Sequence, residues 1–400
     1  MPPVNDAWFL PDGVDELLPE QSERLEQLRN KLLSVVRSHG YQLVSPPFIE
    51  FVDTLLTGAG QEFSLETFKL TDQLTGRMMG VRADMTPQVA RIDAYRLNDS
   101  RPNRLCYLGT VLRALPEGFS GTRSPLQFGA EIYGHQGVHS DAEAIALMHT
   151  VLTTAGINNL YLDIGHVGIF RGLTQQAGLK QTAEEKLFGL MQRKALPEIS
   201  AYLDSLGLSH NLKSMLLSLS RLNGDESTLL RAKRELEQAC EKVQDALSYL
   251  QKIADELKYR CPECSIHFDL AELRGYKYHT GVVFAAFVPG RGHEIARGGR
   301  YDNIASPLGT ARPATGFSTD LKSLVSLVEA DIPPTKMVRR ILAPQSKDTA
   351  LWEYISSLRA AGDIVISELS GQVDGQEPMN GVGCQYKLVH KNKQWIVVEA

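Results

Sequence analysis

Apolar residues recur at helical spacing from Asp15 to His39, where Leu25, Leu28, Leu32, Val35 and Val36 share one stripe. Gly40 follows in the position that stops a helix. The next stretch, YQLVSPPFIEF, is expected to be extended and is broken by Pro46 and Pro47. Strands are predicted in RMMGVRAD, NRLCYLGTVLRAL, SPLQFGAEIYG, NLYLDIGH, GVVFAAFVP and ATGFSTD. Long helices separate some of them, notably SDAEAIALMHTVLTTAG, with Ser140 or Asp141 as its cap. The mid-chain strands follow one another across short turns, which favours an antiparallel sheet with helices around it, an α+β arrangement.

Between about 181 and 260 the pattern turns wholly helical and poor in β-branched residues, which predicts a helical insertion within the sheet domain. The stretch EADIPPTK, 329–336, reads as a linker stiffened by Pro333 and Pro334. A core domain over 1–328 and a small α/β domain over 337–400 are therefore expected. RRILAP, DTALWEYISSLRAAG, DIVISEL and QYKLVHKNKQWIVVEA give the latter as strand, helix, strand and hairpin.

With 42 Lys and Arg against 47 Asp and Glu, the formal charge is −5. A protein that clasps a large nucleic acid usually carries a basic surplus, so tRNA is not expected as a partner. No apolar run approaches the roughly 18 residues of a membrane span. The N-terminal stretch lacks the basic-then-apolar order of a secretion signal, and five cysteines fit a reducing cytoplasm. The pair Cys261 and Cys264 in CPEC, with His267 near, lacks a second pair for zinc. Reduced structural thiols and no metal are expected there.

Polar residues concentrate where strands are predicted. Arg82, Asp84, Thr86 and Gln88 alternate and would share one face of an extended chain. Arg113 and Arg123 flank a Gly/Pro loop, and Gln127, Gly129 and Glu131 alternate after it. Arg274, Tyr276, Tyr278 and His279 follow in LRGYKYHTG, and Arg300, Tyr301 and Arg312 in the glycine-rich segment ARGGRYDNIASPLGTARPATG. Glycines beside Arg300 and Arg312 look prepared for an anion. Inward polar side chains on a sheet are costly unless water or a ligand meets them. Carboxylates beside bases and amides suit a zwitterion such as an amino acid, whereas singly these residues also suit a solvated sheet face. No nucleophile-elbow, P-loop or zincin motif occurs, and His135 and His139 read as surface residues.

In order and spacing, GYQLVSPPFIEF, RADMTPQVAR, LGTVLR…GTRSPLQFGAEIYG, LRGYKYHTGVVF and ARGGRYDNI…ATGFSTDLKSL resemble the class II aminoacyl-tRNA synthetase core over residues 10 to about 325. The resemblance is strongest to histidyl-tRNA synthetase and to its paralogous family, the regulatory subunits of ATP phosphoribosyltransferase. It implies a synthetase-like antiparallel sheet flanked by helices. It implies a histidine pocket of Asp84, Thr86, Gln127 and Glu131, with Arg274 near the carboxylate and Tyr278 and His279 at the tyrosine pair. Arg113 keeps the second-motif arginine. The glutamate two positions on is Leu115, the adenine-stacking aromatic is Pro125, and Lys322 and Ser323 stand where an acid and an arginine are expected. Losing two charge-assisted contacts weakens ATP binding by about 3–6 kcal/mol.

The resemblance thus implies a non-catalytic subunit without catalytic residues or cofactor. Its implied partners are a short-form ATP phosphoribosyltransferase catalytic subunit, a second copy of the chain within a hetero-octamer-like complex, and free histidine. An active, shortened histidyl-tRNA synthetase and a synthetase-like ligase for another amino acid are the competing readings, and Leu115 and Ser323 speak against both.

Overall fold

The structure, a computed structural model, describes residues 9–56, 60–97, 99–116, 121–273, 275–276, 278–302, 312–328, 339–369 and 383–400. Two compact units divide the chain at Val328 and Glu329. The expected linker 329–336 lies outside the described residues.

The first unit opens with α1 (Pro19–Ser38), which starts at Pro19 rather than at Asp15. Proline fits the first helical turn because its missing N–H would be unpaired there anyway. Leu25, Leu28, Leu32, Leu33 and Val36 are its buried stripe, and Gly40 ends it with φ +84°. Next come β1 (Gln42–Leu43), β2 (Ile49–Phe51), α2 (Val52–Leu55), α3 (Gly60–Glu66), β3 (Lys69–Thr71), β4 (Met78–Val81) and α4 (Thr86–Ile92). Strands β2, β4 and β3 form a small antiparallel sheet in that order.

RADMTPQVAR is therefore not the extended face expected of it. The strand stops at Val81 and Pro87 sits in the first turn of α4. Proline cannot donate to a strand ladder, and its fixed φ suits a helix start. Gln88 consequently turns away from Asp84 and donates to the Pro47 carbonyl (2.9 Å) and Glu50 (2.7 Å).

The main sheet adds β5 (Asn103–Thr110), β6 (Leu126–Tyr133), α5 (Val138–Thr154), β7 (Tyr161–His166) and α6 (Val167–Gln176). The helical insertion follows as α7 (Gln181–Gln192), α8 (Leu196–Ser205), α9 (His210–Leu219), β8 (Asn223–Gly224), α10 (Ser227–Glu235) and α11 (Glu241–Arg260). The unit closes with β9 (Ser265–Asp269), β10 (Val282–Phe287), β11 (Ala296–Arg300), β12 (Ala314–Asp320) and α12 (Leu321–Leu327). Nine strands pair in the order β1-β5-β6-β12-β11-β10-β7-β9-β8. All neighbours run antiparallel except β1–β5 and β7–β9.

Strand β11 has no apolar pattern, reading ARGGR, and sequence reasoning passes over it. It is a strand because both its neighbours pair with it, Gly299 facing Gly316 on one side and Val283 on the other. The two faces of the sheet differ in kind. Cys106, Phe128, Ala130, Ile132 and Phe317 join the large helix-packed core. Leu105, Tyr107, Tyr133, Tyr301 and Ala314 cluster with Met85, Val89 and Ala90 on the other side.

Helix α5 begins at Val138, not at the expected cap, after Gly137 with φ +130°. Ser140 and Asp141 are instead claimed by Arg300. Cys261 and Cys264, expected as reduced thiols, are joined as a disulfide. The turn that closes on the Cys264 N–H to Cys261 carbonyl bond brings their Cα atoms to 5.4 Å, within the range a disulfide spans. No helix among the described residues is long and apolar enough to cross a membrane.

The second unit contains β13 (Arg340–Ala343), α13 (Thr349–Ala360), β14 (Ile364–Ser367), β15 (Tyr386–Lys391) and β16 (Gln394–Glu399). Its sheet has the order β14-β13-β15-β16, with β13 parallel to both neighbours. Asn392 and Lys393 both have positive φ (52° and 66°), the geometry of the two-residue turn that joins a tight hairpin. Ile341, Leu351, Ile355 and Leu388 form its core.

Candidate functional site

The second face of the sheet holds a polar pocket built around one carboxylate. In β6, Gln127, Gly129, Glu131 and Tyr133 point the same way, since strand side chains alternate. Register fixes what surrounds them: Tyr107 stands opposite Gly129, and Gly316 opposite Glu131. Both glycines are required by close approach. A Cβ at Gly129 would lie 2.3 Å from the Tyr107 ring, and one at Gly316 would lie 1.6 Å from Glu131 Oε2. Alanine at 316 is expected to destabilise the protein by about 1–3 kcal/mol or more, because the Ala130 carbonyl blocks the escape of the new methyl group. Urea denaturation checks this, and wild-type stability would show that Glu131 is not packed against that strand.

Glu131 is 2% exposed and accepts from three hydroxyls. Tyr107 donates to Oε1 at 3.0 Å, Thr86 approaches the same oxygen at 3.4 Å, and Tyr301 donates to Oε2. Tyr301 also reaches the Tyr133 hydroxyl at 3.3 Å. Burial pushes the Glu131 carboxyl up to about 8, and the Asp84 charge adds to the rise, against the pull of the tyrosine hydroxyls. Asp84 Oδ1 accepts from the Thr86 N–H (2.8 Å) and from Gln127 Nε2 (2.9 Å), while Gln127 Oε1 takes the Met85 N–H (2.9 Å). These bonds lock the bend before α4 onto β6, so Asp84, Thr86, Gln127 and Glu131 do come together.

Tyr278 joins them by stacking on Tyr301, with ring centroids 5.2 Å apart. Its hydroxyl is buried and has no hydrogen-bond partner among the described residues. An unpartnered buried hydroxyl costs about 1–3 kcal/mol, and this one keeps the capacity for one further polar partner. His279 meets Tyr278 edge-on at 5.3 Å, its Nδ1 is also buried without a partner among the described residues, and burial holds its pKa down at about 4. Arg113 is anchored by its N–H on the Arg123 carbonyl (2.8 Å) and bridges to Thr67. Arg274 lies outside the described residues.

Sequence reasoning missed Tyr107 and Tyr133, and it placed Tyr301 among the candidate polar residues but not in the histidine pocket implied by resemblance. The signal for the first was available, since Tyr107 falls in the period-two alternation of its own strand. Pairing with Glu131 across strands had no sequence signal.

Arg300 and Arg312, read as ready for an anion, are not. Arg300 is 5% exposed and grips Asp141 through two bonds, Nε to Oδ2 at 3.0 Å and Nη2 to Oδ1 at 2.9 Å. Ser140 Oγ (2.9 Å), Asp302 (3.2 Å) and the carbonyls of His135 and Gly137 take its remaining donors. Arg312 is likewise held by the buried carboxylate of Asp93 at 2.9 Å. Both guanidiniums tie elements together. At the other end of the sheet, Lys322 Nζ is drawn to Asp15 (3.3 Å) and Ser124 (3.4 Å), and Ser323 donates to Asp320 (2.6 Å), the cap of α12.

The family model described as histidyl-tRNA synthetase matches residues 13–324, and that of the C-terminal domain of the ATP phosphoribosyltransferase subunit HisZ matches 338–398. The ATP phosphoribosyltransferase regulatory subunit of Thioalkalivibrio sulfidiphilus is 51% identical over 396 residues, covering 99% of both chains. The chain belongs to the family of ATP phosphoribosyltransferase regulatory subunits. A second member, from Methylococcus capsulatus, is 51% identical over 99% of this chain and 97% of its own. Among solved structures, a Bacillus halodurans protein named as such a regulatory subunit/histidyl-tRNA synthetase superposes with a TM-score of 0.83. It is 26% identical and covers 94% of this chain and 97% of its own. Histidyl-tRNA synthetase from Nostoc, at 18% identity and TM-score 0.78 over 98% of this chain and 97% of its own, shares the fold. The expected class II synthetase-like sheet with a small C-terminal sheet unit is therefore the observed fold.

Proposed function

We propose that this chain is a non-catalytic regulatory subunit that joins a short-form ATP phosphoribosyltransferase catalytic subunit for the first step of histidine biosynthesis. Binding activates the catalyst, and free histidine held in the Glu131 pocket carries feedback to it. The observation that carries the reading is half-identity over 99% of both chains with a relative of that name.

The pocket suits the ligand. Two acidic side chains, Asp84 and Glu131, lie in one cluster with Tyr301 and the Tyr278 ring stacked on it, whose hydroxyl is unpartnered among the described residues, a set that suits an ammonium and an imidazole N–H. Arg274, by resemblance, would meet the ligand's carboxylate. At the nucleotide end, Leu115, Pro125, Lys322 and Ser323 replace the groups that grip ATP in a synthetase, and the last two are occupied by Asp15, Ser124 and Asp320. Phosphoryl chemistry depends on positioned charge, so a site without these groups recognises an amino acid but does not activate it. Self-association would run through the first-motif segment around SPPFIEF, where Phe48 and Ile49 are 42% and 40% exposed. Neither tRNA nor a membrane is assigned as a partner.

Copurification with the short-form catalytic subunit, followed by phosphoribosyl-transfer assays with and without histidine, tests this. The expected result is a stable complex whose activity exceeds that of the catalyst alone and falls with histidine, through a coupling of about 1–3 kcal/mol between sites. Histidine-dependent ATP–pyrophosphate exchange by the chain alone would overturn it.

A further inference from the structure

We propose that His149, Cys261 and Cys264 form a site for a thiophilic divalent cation, zinc by its chemistry, and that the Cys261–Cys264 disulfide is the oxidised, metal-free form of this site. One ligand atom from each of the three residues lies within 4.8 Å of the other two. The sulfur–sulfur edge of a tetrahedral zinc site is about 3.8 Å, given zinc–sulfur bonds of about 2.3 Å. With Cα atoms 5.4 Å apart, reduced sulfurs can part to that edge by side-chain rotation alone. The histidine anticipated beside the pair is not the one supplied. His267 is bonded to Asp163, whereas His149 arrives from α5.

His149 is 6% exposed, and its ring nitrogens make no hydrogen bond among the described residues but are not sealed from solvent. A mostly buried imidazole with no other hydrogen-bond partner, within reach of two sulfurs, is free to serve as a metal ligand. Two thiolates and an imidazole form a borderline-soft set that prefers zinc to magnesium or calcium. A water or Glu263, exposed in the same turn, would complete the tetrahedron.

The helix geometry argues against a thioredoxin-like redox pair. Such pairs sit at a helix N-terminus, where the dipole stabilises a thiolate. Cys261 caps the C-terminus of α11, where the dipole opposes one unless a cation neutralises it. A dithiol reductant passes two electrons and two protons to the disulfide, becoming a disulfide itself and leaving two thiols here. Zinc binding then releases those two protons. The bound ion would staple the end of α11 and the start of β9 to α5.

The full-length chain, reduced with a dithiol and stripped of metal, is titrated with zinc and, separately, with cobalt(II). The expected result is about one equivalent bound, with thiolate-to-cobalt charge-transfer absorption and the visible bands of a tetrahedral ion. Cys264→Ser is expected to abolish this signature and His149→Ala to weaken binding at least about tenfold, with circular dichroism unchanged. His149→Cys, which keeps a ligand, is expected to restore it. Absence of uptake by the reduced wild-type chain overturns the proposal, as does uptake that survives Cys264→Ser.

Discussion

Arg300→Met is expected to destabilise the protein by about 3–5 kcal/mol, because it strands a buried carboxylate without its counter-charge. The side chain is 6% exposed and that of its partner Asp141 is 0% exposed. Asp141 also accepts the Tyr249 hydroxyl at 2.6 Å, so one carboxylate joins α5, α11 and β11. Burial works against the guanidinium's charge, but Asp141, Tyr249 and Asp302 outweigh it and hold its pKa above the usual arginine value. Removing Arg300 alone leaves Asp141 charged, buried and uncompensated, and that penalty exceeds the net worth of the pair. The double variant Arg300→Met/Asp141→Leu is accordingly expected to recover most of the loss. Urea unfolding of the three proteins tests it. A single variant within about 1 kcal/mol of wild type would mean that the pair is solvated in the protein.

Glu131→Gln is expected to have an effect of similar size and of opposite sign at high pH. The folded carboxyl titrates at about 8 against an unfolded value near 4.5. Below the unfolded value both states carry the proton and nothing is lost. Between the two values the unfolded chain has released a proton that the folded one keeps, so stability falls as pH rises, and above about 8 the loss is complete. A shift of that size is worth on the order of 4–5 kcal/mol. Glutamine cannot titrate, so the variant should gain on wild type from about pH 5 to pH 9 in the absence of ligand. Parallel pH profiles of the two proteins would refute the buried-carboxyl picture. Histidine, with its ammonium beside Glu131, should bind with release of the Glu131 proton and raise the wild-type melting temperature, as ligands of the native state do. The variant should lose both that rise and the inhibition of its complex by histidine. Retained inhibition would move the sensing site elsewhere.

The two variants separate what each charged cluster does. Arg300 and Arg312 look in the sequence like an anion site beside glycines, yet each is spent on a buried aspartate, Asp141 or Asp93. The pocket residues Asp84, Thr86, Gln127 and Glu131 were legible because they alternate on predicted strands and match a family's motifs. Even there the local structure differed: Pro87 turned RADMTPQVAR into a bend and helix, and it is the bend that presents Asp84 to Gln127.

Reading along the chain was enough for the class of fold, the helical insertion, the strand–helix–strand–hairpin order of the C-terminal unit and the acidic and amide residues that gather at Glu131. Each depends on periodicity or on residues close in the chain. Only the folded arrangement settled that Tyr107 and Tyr301 clasp Glu131, that β11 is a strand, and that His149 rather than His267 meets the cysteines. Those outcomes depend on register and helix packing between distant segments, and side-chain spacing along one segment carries no information about which other segment lies beside it.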